Sequence, residues 1–349
     1  MAALPARLLV DLPNWLGDFI HALPALGALA GANRRGRTTA LLPEAHAPLA
    51  RLLGVDTIAR PAGAGLGWAR RHLAGRFDIA LTARHSSRAK LLLAGSRAKT
   101  RMASSGRGSA ALGLTTFPVG RGLHQRHDLD GALALLGLRG LPNGTYRLQL
   151  TESLAHRGLC QRALLADLPQ IVAILPATRG LESKRYPLRH FATIARELAA
   201  DGVAPVVFVG PGEEDLAARL AREAWVVVAP TVWPLHEIAA LLAACDASVG
   251  NDSGLTHLAS AVGCPTVALF GPTDPGRTSP VGGALVLRAP VSSRADRGLD
   301  EIDPLGVVAA VRFAMAKSGE SSRRAVRASG AGVAREAAQR YDWVQRVGR

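Results

Sequence analysis

The sequence has few cysteines and no long apolar run, and each shortage excludes a class of protein. Its 349 residues include three cysteines, Cys160, Cys245 and Cys264, which form no Cys-x-x-Cys pair. This argues against a disulfide framework and against a structural zinc site. No apolar stretch approaches the ~20 residues of a membrane-spanning helix. Asp11 and Asp18 interrupt the first apolar run and no small-residue cleavage site follows, so we predict no signal peptide and a cytoplasmic location.

Acidic and aromatic residues are also scarce. Lys and Arg total 42 against 27 Asp and Glu, which gives a net charge of +15. Between residues 31 and 126, seventeen basic residues face only Glu44, Asp56 and Asp78. A general bias toward arginine would explain this excess, and so would an anionic partner such as a phosphorylated glycolipid, a membrane surface or a nucleic acid. The aromatic content of 4% and the lack of an RNA-type aromatic motif argue against nucleic acid.

Short apolar runs alternate with alanine-rich helical stretches along the chain. In the second half, strands are predicted to begin at Gln170, Pro205, Trp225, Ala247 and Pro265, and helices at Pro187, Glu213, Pro234 and Gly254. This alternation predicts an α/β protein with two doubly wound, Rossmann-like domains. We place the domains at 1–160 and 161–325. A basic helix at 326–349, set apart by the Ser/Gly-rich segment 317–322, is expected either to pack on the first domain or to form a frayed tail.

The sequence NDSGLTH, residues 251–257, follows a predicted strand and begins a predicted helix. Ligands of open α/β sheets bind at the carboxyl ends of strands, and a glycine-containing helix start offers free N–H groups to phosphate. Asp252 or Ser253 could instead be a simple helix cap, and a lone His257 is more often structural. A single cap leaves the rest of the cluster unexplained, so we favour a ligand site.

Three stretches together resemble glycosyltransferase family 9, the ADP-heptose:lipopolysaccharide heptosyltransferases. They are GNDSGLTHLASAVGCPTVALFGPTDP, the segment from Pro176 that contains KRYP and VFVGPGEED, and LVDLPNWLGDFIHALPAL near the amino terminus. The resemblance covers most of the chain in order and is thin from 28 to 150. It implies a GT-B fold, in which two Rossmann-like domains face an interdomain cleft, with the acceptor bound by the first domain and the nucleotide sugar by the second.

The resemblance also implies roles for residues of the second domain. Lys184 matches the phosphate-binding lysine of the family and Thr178 a phosphate-contacting hydroxyl, whereas Arg179 departs from the usual small polar residue. Without the resemblance, Lys184 and Arg185 could form a solvated basic loop. The remaining donor-site residues expected from the family pattern are Glu213 or Glu214 on the ribose, Asp252 on the donor sugar, and Ser253, Gly254, Leu255 and His257 along the pyrophosphate. The two glutamates could instead be first-turn residues favoured by the helix dipole.

For the first domain, the resemblance implies that Asp18 is the base that activates the acceptor hydroxyl. From the residues alone, Asp18 could equally be an N-cap. Ser87, Arg88 and Lys90 occupy a polar, basic segment that the family uses on the acceptor side. The acceptor implied by the family is the anionic inner core of lipopolysaccharide, held in the cytoplasmic leaflet. A basic domain would concentrate such a molecule and bring the enzyme to an anionic membrane surface.

The resulting hypothesis is an inverting heptosyltransferase that uses ADP-heptose and needs neither a metal nor another cofactor, because the stretches that carry the predicted donor site contain no DxD motif of the kind that metal-dependent transferases use. The alternatives are a family member with another nucleotide sugar or acceptor, a sugar-nucleotide epimerase of similar fold, and a non-catalytic protein that retains the nucleotide-sugar site.

Overall fold

The computed structural model describes residues 4–104, 108–117, 126–140, 144–165, 168–178, 182–289 and 298–329. The chain divides into two compact units, Met1–Gln149 and Leu150–Arg349. This division falls earlier than the predicted boundary after residue 160. The helix Glu152–Leu165 therefore belongs to the second unit as a whole.

The first unit is a parallel sheet flanked by helices. Its strands are β1 (Arg7–Asp11), β2 (Arg37–Leu42), β3 (Asp56–Ala59), β4 (Ile79–Thr82), β5 (Thr100–Ser104) and β6 (Thr115–Phe117). Its helices are α1 (Leu16–Ala32), α2 (Ala47–Arg51), α3 (Leu66–His72), α4 (Ser87–Ser96) and α5 (Arg126–Leu135). The strand order is β3-β2-β1-β4-β5-β6 and the neighbouring strands pair in parallel.

The second unit repeats this plan. Its strands are β7 (Gln170–Leu175), β8 (Val203–Val207), β9 (Val227–Val228), β10 (Ala247–Asn251), β11 (Thr266–Phe270) and β12 (Leu285–Arg288). Its helices are α6 (Glu152–Leu165), α7 (Leu188–Ala200), α8 (Glu214–Glu223), α9 (Leu235–Ala244), α10 (Gly254–Ala261), α11 (Pro275–Thr278) and α12 (Pro304–Ser329). The strand order is β12-β11-β10-β7-β8-β9, again in parallel.

Buried strands and amphipathic helices explain these layers. Leu8, Leu9 and Val10 of β1 are fully buried because helices cover both faces of a doubly wound sheet. Helix α7 turns Phe191 and Leu198 into the core of the second unit, where its apolar residues recur at helical spacing. The predicted fold class, an α/β protein with two Rossmann-like units, is confirmed.

The prediction that a Ser/Gly-rich segment separates the last helix from the rest of the chain is wrong for the described residues. Helix α12 runs without interruption from Pro304 to Ser329, through the Ser/Gly-rich segment. One glycine and scattered serines lower helix propensity by only about 1 kcal/mol each at most, so the apolar first half of the helix can carry them. The predicted helix 326–349 lies outside the described residues from 330 onward.

Among the described residues, no helix has both the length and the apolar content needed to cross a lipid bilayer.

Helices α6 and α9 approach unusually closely, and a glycine permits this. A Cβ at Gly158 would overlap the backbone of Ala240, at its carbonyl oxygen, carbon and Cα. Gly158 is buried in α6. The backbones of the two helices could not meet in this way with any larger residue at position 158.

We therefore expect Gly158→Ala to lower the free energy of unfolding by about 1–3 kcal/mol, because the two helices must separate to admit the methyl group. Gly31→Ala in α1 is the matched control. A Cβ there meets nothing within 4 Å, so improved helix propensity should stabilise the chain slightly. Urea denaturation of both variants measures the difference. Equal effects from the two substitutions would contradict the close packing of α6 on α9.

Candidate active site

The two sheets place their candidate residues at equivalent points. In each unit, the strand order reverses between two neighbouring central strands, β1 and β4 in the first and β7 and β10 in the second. Their carboxyl ends form the position at which doubly wound sheets bind ligands. Asp11 ends β1 and Asn251 ends β10.

In the second unit, Asn251 holds the segment that follows β7 against the end of β10. Its side-chain Oδ1 accepts a hydrogen bond from the Tyr186 N–H at 3.0 Å, and its Nδ2 donates to the Pro176 carbonyl at 2.7 Å. Asn251 is fully buried. It therefore fixes both ends of the segment that carries Thr178 and Lys184, a role that the sequence analysis did not assign.

Asp252 is the centre of a polar network beside this segment. Its Oδ2 lies 3.2 Å from Lys184 Nζ and accepts a hydrogen bond from Thr273 Oγ1 at 2.9 Å. Its Oδ1 lies 3.1 Å from His257 Nε2. The carboxylate is 6% exposed. The predicted residues Lys184, Asp252 and His257 are thus brought together, and the alternative that Asp252 is a simple helix cap is wrong.

The network keeps Asp252 ionised. Burial alone would raise the pKa of Asp252, but the hydrogen bond and charge of His257, the ammonium of Lys184 and the Thr273 hydroxyl outweigh burial and lower the pKa to about 2. A buried carboxylate with three partners is a fixed negative charge at neutral pH. It orients the Lys184 ammonium and the His257 ring toward the same edge of the sheet.

Helix α10 begins at Gly254, two residues after Asp252. Its N-cap residue is Ser253, whose side chain makes no capping hydrogen bond. The first backbone bond of the helix runs from His257 N–H to the Ser253 carbonyl at 3.1 Å, so the N–H groups of Gly254, Leu255 and Thr256 precede the helical ladder. Ser253, Gly254 and Leu255 are partly exposed. This helix start can donate to an anion.

The other predicted donor residues lie nearby in the fold or outside the described ranges. Thr178 is buried, and its Oγ1 donates to the Asp252 carbonyl at 3.5 Å. Glu213 Oε2 accepts from the Gly210 N–H at 2.8 Å. Hydrogen bonds from the backbone of Glu214 and Gly212 lower the pKa of Glu214, as expected of a first-turn residue. Which glutamate contacts a ribose stays a prediction. Arg179 lies outside the described residues.

Thr273 was missed as a site residue. It belongs to the GPTDP turn after β11, and its hydroxyl is one of the three partners of the Asp252 carboxylate. Strands β10 and β11 are neighbours in the sheet, and their parallel pairing sets Asn251 beside Leu269. Polar residues that follow two adjacent parallel strands meet at one edge, so the threonine after β11 could have been assigned from its place in the turn.

In the first unit, Asp18 lies in the first turn of α1. The N-cap of this helix is Trp15, so the alternative that Asp18 is an N-cap is wrong. Asp18 is half-buried, and Trp15 is 61% exposed. A carboxylate at this position sits where the helix dipole favours negative charge, at the carboxyl end of β1.

The segment leading to Asp18 is anchored by an ionic network that the sequence analysis missed. The Asp11 carboxylate is fully buried between Arg60 and Arg84, whose Nε donates at 2.9 Å, and it also accepts from Thr82 Oγ1 at 2.7 Å. Arg60 Nη2 donates to the Leu12 carbonyl at 3.0 Å and also bonds the Asn14 side chain. Arg60 thus fixes residues 12–14, which lead into α1.

This network carries one net positive charge. Two guanidinium groups face one carboxylate. The nearby His46 adds no charge at pH 7, because burial and the charge of Arg60 lower the pKa of His46 to about 4. Arg84 is 12% exposed, and its buried Nη2 has no hydrogen-bond partner among the described residues. An unpaired buried N–H is costly unless something binds it. The end of β4 is therefore suited to an anion.

The predicted acceptor-side residues begin three positions after Arg84, at Ser87. Ser87 and Arg88 are exposed in the first turn of α4. Lys90 is only 4% exposed, so its side chain is less accessible than predicted. Within the described ranges, no group of three or more His, Cys, Asp or Glu residues is arranged to hold a metal ion.

Comparisons with known proteins identify the family and fold that this chain resembles. The model of glycosyltransferase family 9 (heptosyltransferase) matches residues 68–291. Lipopolysaccharide heptosyltransferase 2 of Salmonella typhimurium is 33% identical over 150 residues, 41% of this chain. That match spans 43% of the relative's own length, less than half.

Two solved structures share the fold. The structure of Escherichia coli ADP-heptose lps heptosyltransferase II has a TM-score of 0.77 at 22% identity and covers 90% of this chain and 99% of its own. An Escherichia coli heptosyltransferase solved with ADP has a TM-score of 0.68 at 23% identity and covers 88% of this chain and 99% of its own. The likeness confirms the GT-B fold class.

Asp11→Asn should destabilise the first unit by about 3–5 kcal/mol, because it leaves two buried guanidiniums without their anion. Asp56→Asn is the matched control: it also removes an arginine partner, Arg37, but from an exposed pair, and exposed pairs contribute little. Hydrogen–deuterium exchange of the β1 and β4 amides reports the loss locally. Similar exchange rates in the two variants would contradict the assigned role of Asp11.

Proposed function

Because the chain belongs to glycosyltransferase family 9, we propose that it transfers a heptose from ADP-heptose to the anionic inner core of lipopolysaccharide, with inversion and without a metal cofactor. The observation that carries the proposal is the Asp252 network at the start of α10. The curated relative is named a lipopolysaccharide heptosyltransferase, and one similar structure was solved with ADP. We place the reaction at the cytoplasmic side of a membrane, where the enzyme would be peripheral.

The second unit would bind the donor. When the sugar leaves, negative charge develops on the diphosphate, and fixed donors at that place lower the barrier. The N–H groups of Gly254, Leu255 and Thr256 and the positive end of the α10 dipole are such donors. The Lys184 ammonium adds a full charge. Its side chain is 25% exposed, so it can reach a ligand without a rearrangement of the core.

A carboxylate beside a diphosphate needs a reason, since like charges repel. Asp252 is balanced by the Lys184 ammonium and lies within hydrogen-bond distance of His257, and it fixes both groups before the ligand arrives. Preorganisation of this kind avoids the cost of ordering two side chains during binding. The proposed role of Asp252 is thus to position the cation and to accept a hydrogen bond from the donor sugar. Thr178 and Thr273 support it from either side.

The first unit would bind the acceptor and supply the base. Asp18 would take the proton from the acceptor hydroxyl as the bond to the sugar forms. Arg60 would support Asp18 indirectly by fixing residues 12–14. Arg88 is an exposed cation four residues after Arg84 of the net positive Asp11 network, and the exposed Ser87 precedes it. These groups suit an acceptor that carries carboxylates or phosphates.

Asp18→Asn should lower kcat for heptosyl transfer by about 10²–10⁴, because the amide cannot accept the proton. Affinity for ADP should stay unchanged, since the donor residues lie in the other unit. Glu44→Gln is the matched control, because Glu44 is an exposed carboxylate that also follows a strand of the first sheet. Steady-state kinetics and ADP titrations measure both variants.

Two outcomes would count against this assignment. An unaffected transfer rate in Asp18→Asn would eliminate Asp18 as the base. A protein that binds ADP but transfers no sugar before any substitution is made would favour a non-catalytic nucleotide-sugar-binding protein instead.

A further inference from the structure

The positive charge of the first unit is concentrated on the edge away from Asp18. In a parallel sheet, all strands begin at one edge, and the preceding helices end there. Each of the helices α1 to α4 is followed by a strand of the same sheet. Ten cations lie between the last turn of one of these helices and the first residue of the strand after it, or at the first residue of β1. They are Arg7, Arg34, Arg35, Arg37, Arg51, Arg70, Arg71, Arg76, Arg97 and Lys99, and we call them the basic edge.

All ten side chains of the basic edge belong to exposed residues. Only two carboxylates share this edge, Asp56 and Asp78. Asp78 pairs with Arg7 at 2.9 Å and Asp56 pairs with Arg37. Lys99 also acts electrostatically on Asp78. Ten cations therefore face two carboxylates among the described residues of this edge, and the basic edge carries a large uncompensated charge.

Among the described residues that follow the first four strands, the opposite edge, where the candidate base lies, is nearly balanced. Four cations and three carboxylates follow the first four strands: Arg60, Arg84, Arg88 and Lys90 against Asp11, Asp18 and Glu44. Binding of an anionic acceptor next to Asp18 therefore does not account for all of the charge excess. Of the fourteen excess positive charges between residues 31 and 126, seven lie on the basic edge, at the other end of the strands.

Helix dipoles do not account for it either. Basic residues are favoured in the last turn of a helix, and Arg51, Arg70 and Arg71 are examples. The second unit has the same architecture and the same dipoles, so it serves as an internal control. Among its described residues, the equivalent edge has three cations, Arg162, Arg222 and Arg277, and four carboxylates, Glu197, Asp201, Glu223 and Asp246. The basic edge is specific to the first unit.

The basic edge also contains a depression of about 700 Å³. Its lining includes four guanidinium groups, those of Arg7, Arg37, Arg51 and Arg76, and one carboxylate, Asp56. Arg51 Nε bonds Thr57 Oγ1 at 3.0 Å and Arg76 Nη1 bonds the His72 carbonyl at 2.8 Å, which orders both side chains without neutralising them. An ordered, positive depression suits a phosphate group.

We propose that the basic edge docks on an anionic phospholipid surface, with a lipid phosphate in this depression. Strands β3 and β5 are four strand spacings apart in the sheet, about 19 Å. The loops that precede these five strands therefore form a broad surface, which suits a membrane plane rather than a single small ligand. No exposed large hydrophobic side chain lies on this edge among the described residues, whereas proteins that bind single-stranded nucleic acid stack bases on aromatic residues. The charge pattern therefore favours lipid headgroups.

The test is co-sedimentation of the full chain with vesicles of phosphatidylcholine, with and without phosphatidylglycerol. Arg34→Gln/Arg35→Gln removes two exposed cations from the loop before β2. Since each basic residue near an anionic surface adds about fivefold to the partition coefficient, we expect a loss of about 25-fold. Arg219→Gln/Arg222→Gln on the exposed face of α8 has the same change in charge and should leave binding nearly unchanged.

Three results would overturn the proposal: no binding of the unaltered chain to anionic vesicles, equal losses in the two double variants, or tighter retention of duplex DNA than of anionic vesicles at the same salt. Binding is measured without nucleotide sugar or glycolipid, so the outcome does not depend on the proposed transferase activity. Equal thermal stabilisation of both variants by ADP shows that the fold and the nucleotide site are intact.

Discussion

The second unit depends on one buried negative charge. Asp252 lies at the end of a fully buried strand, and a carboxylate in that position is costly unless every oxygen is paired. Lys184, His257 and Thr273 provide the partners and come from three different segments of the chain. The requirement to satisfy Asp252 therefore brings the end of β7, the start of α10 and the turn after β11 to one place.

The first unit meets the same constraint in a different way. Asp11 ends β1 as Asn251 ends β10, and it is satisfied by two arginines and a threonine. Here the network carries one net positive charge, whereas the Lys184 and Asp252 charges cancel. The second guanidinium group therefore makes the end of β4 suited to an anion. Each unit thus uses one central strand to bury a polar group, and each polar group fixes the segment that presents a candidate catalytic or binding residue.

Much of the second unit could be predicted from the sequence because its signals are local. The strand that ends at Asn251 and the helix that begins at Gly254 were predicted from apolar runs and from the glycine at the helix start. The Asp252–Lys184 pair is not local: it joins residues 68 positions apart, and only the family resemblance pointed to both. Thr273 was missed because a threonine in a Pro-rich turn has many structural explanations.

The first unit was harder to predict, for physical reasons. Asp11 looked like an interruption of an apolar run, because its partners Arg60 and Arg84 are far from it in sequence and follow two other strands, β3 and β4. The charge excess was visible in the sequence, but its position was not. Charge counting assigns it to residues 31–126, whereas the order of strands and helices separates one edge of the sheet from the other. The continuous helix α12 shows that composition alone is a weak boundary signal.

The most direct test of the central claim is a calorimetric titration of ADP into the unaltered chain, Lys184→Gln and Arg185→Gln. Arg185 is the exposed neighbour of Lys184, so the two substitutions change the charge of the loop equally. If Asp252 positions Lys184 for the diphosphate, Lys184→Gln lowers the affinity about tenfold or more, and Arg185→Gln changes it far less. Equal losses, or no loss from Lys184→Gln, would show that the Asp252 network does not form the nucleotide site.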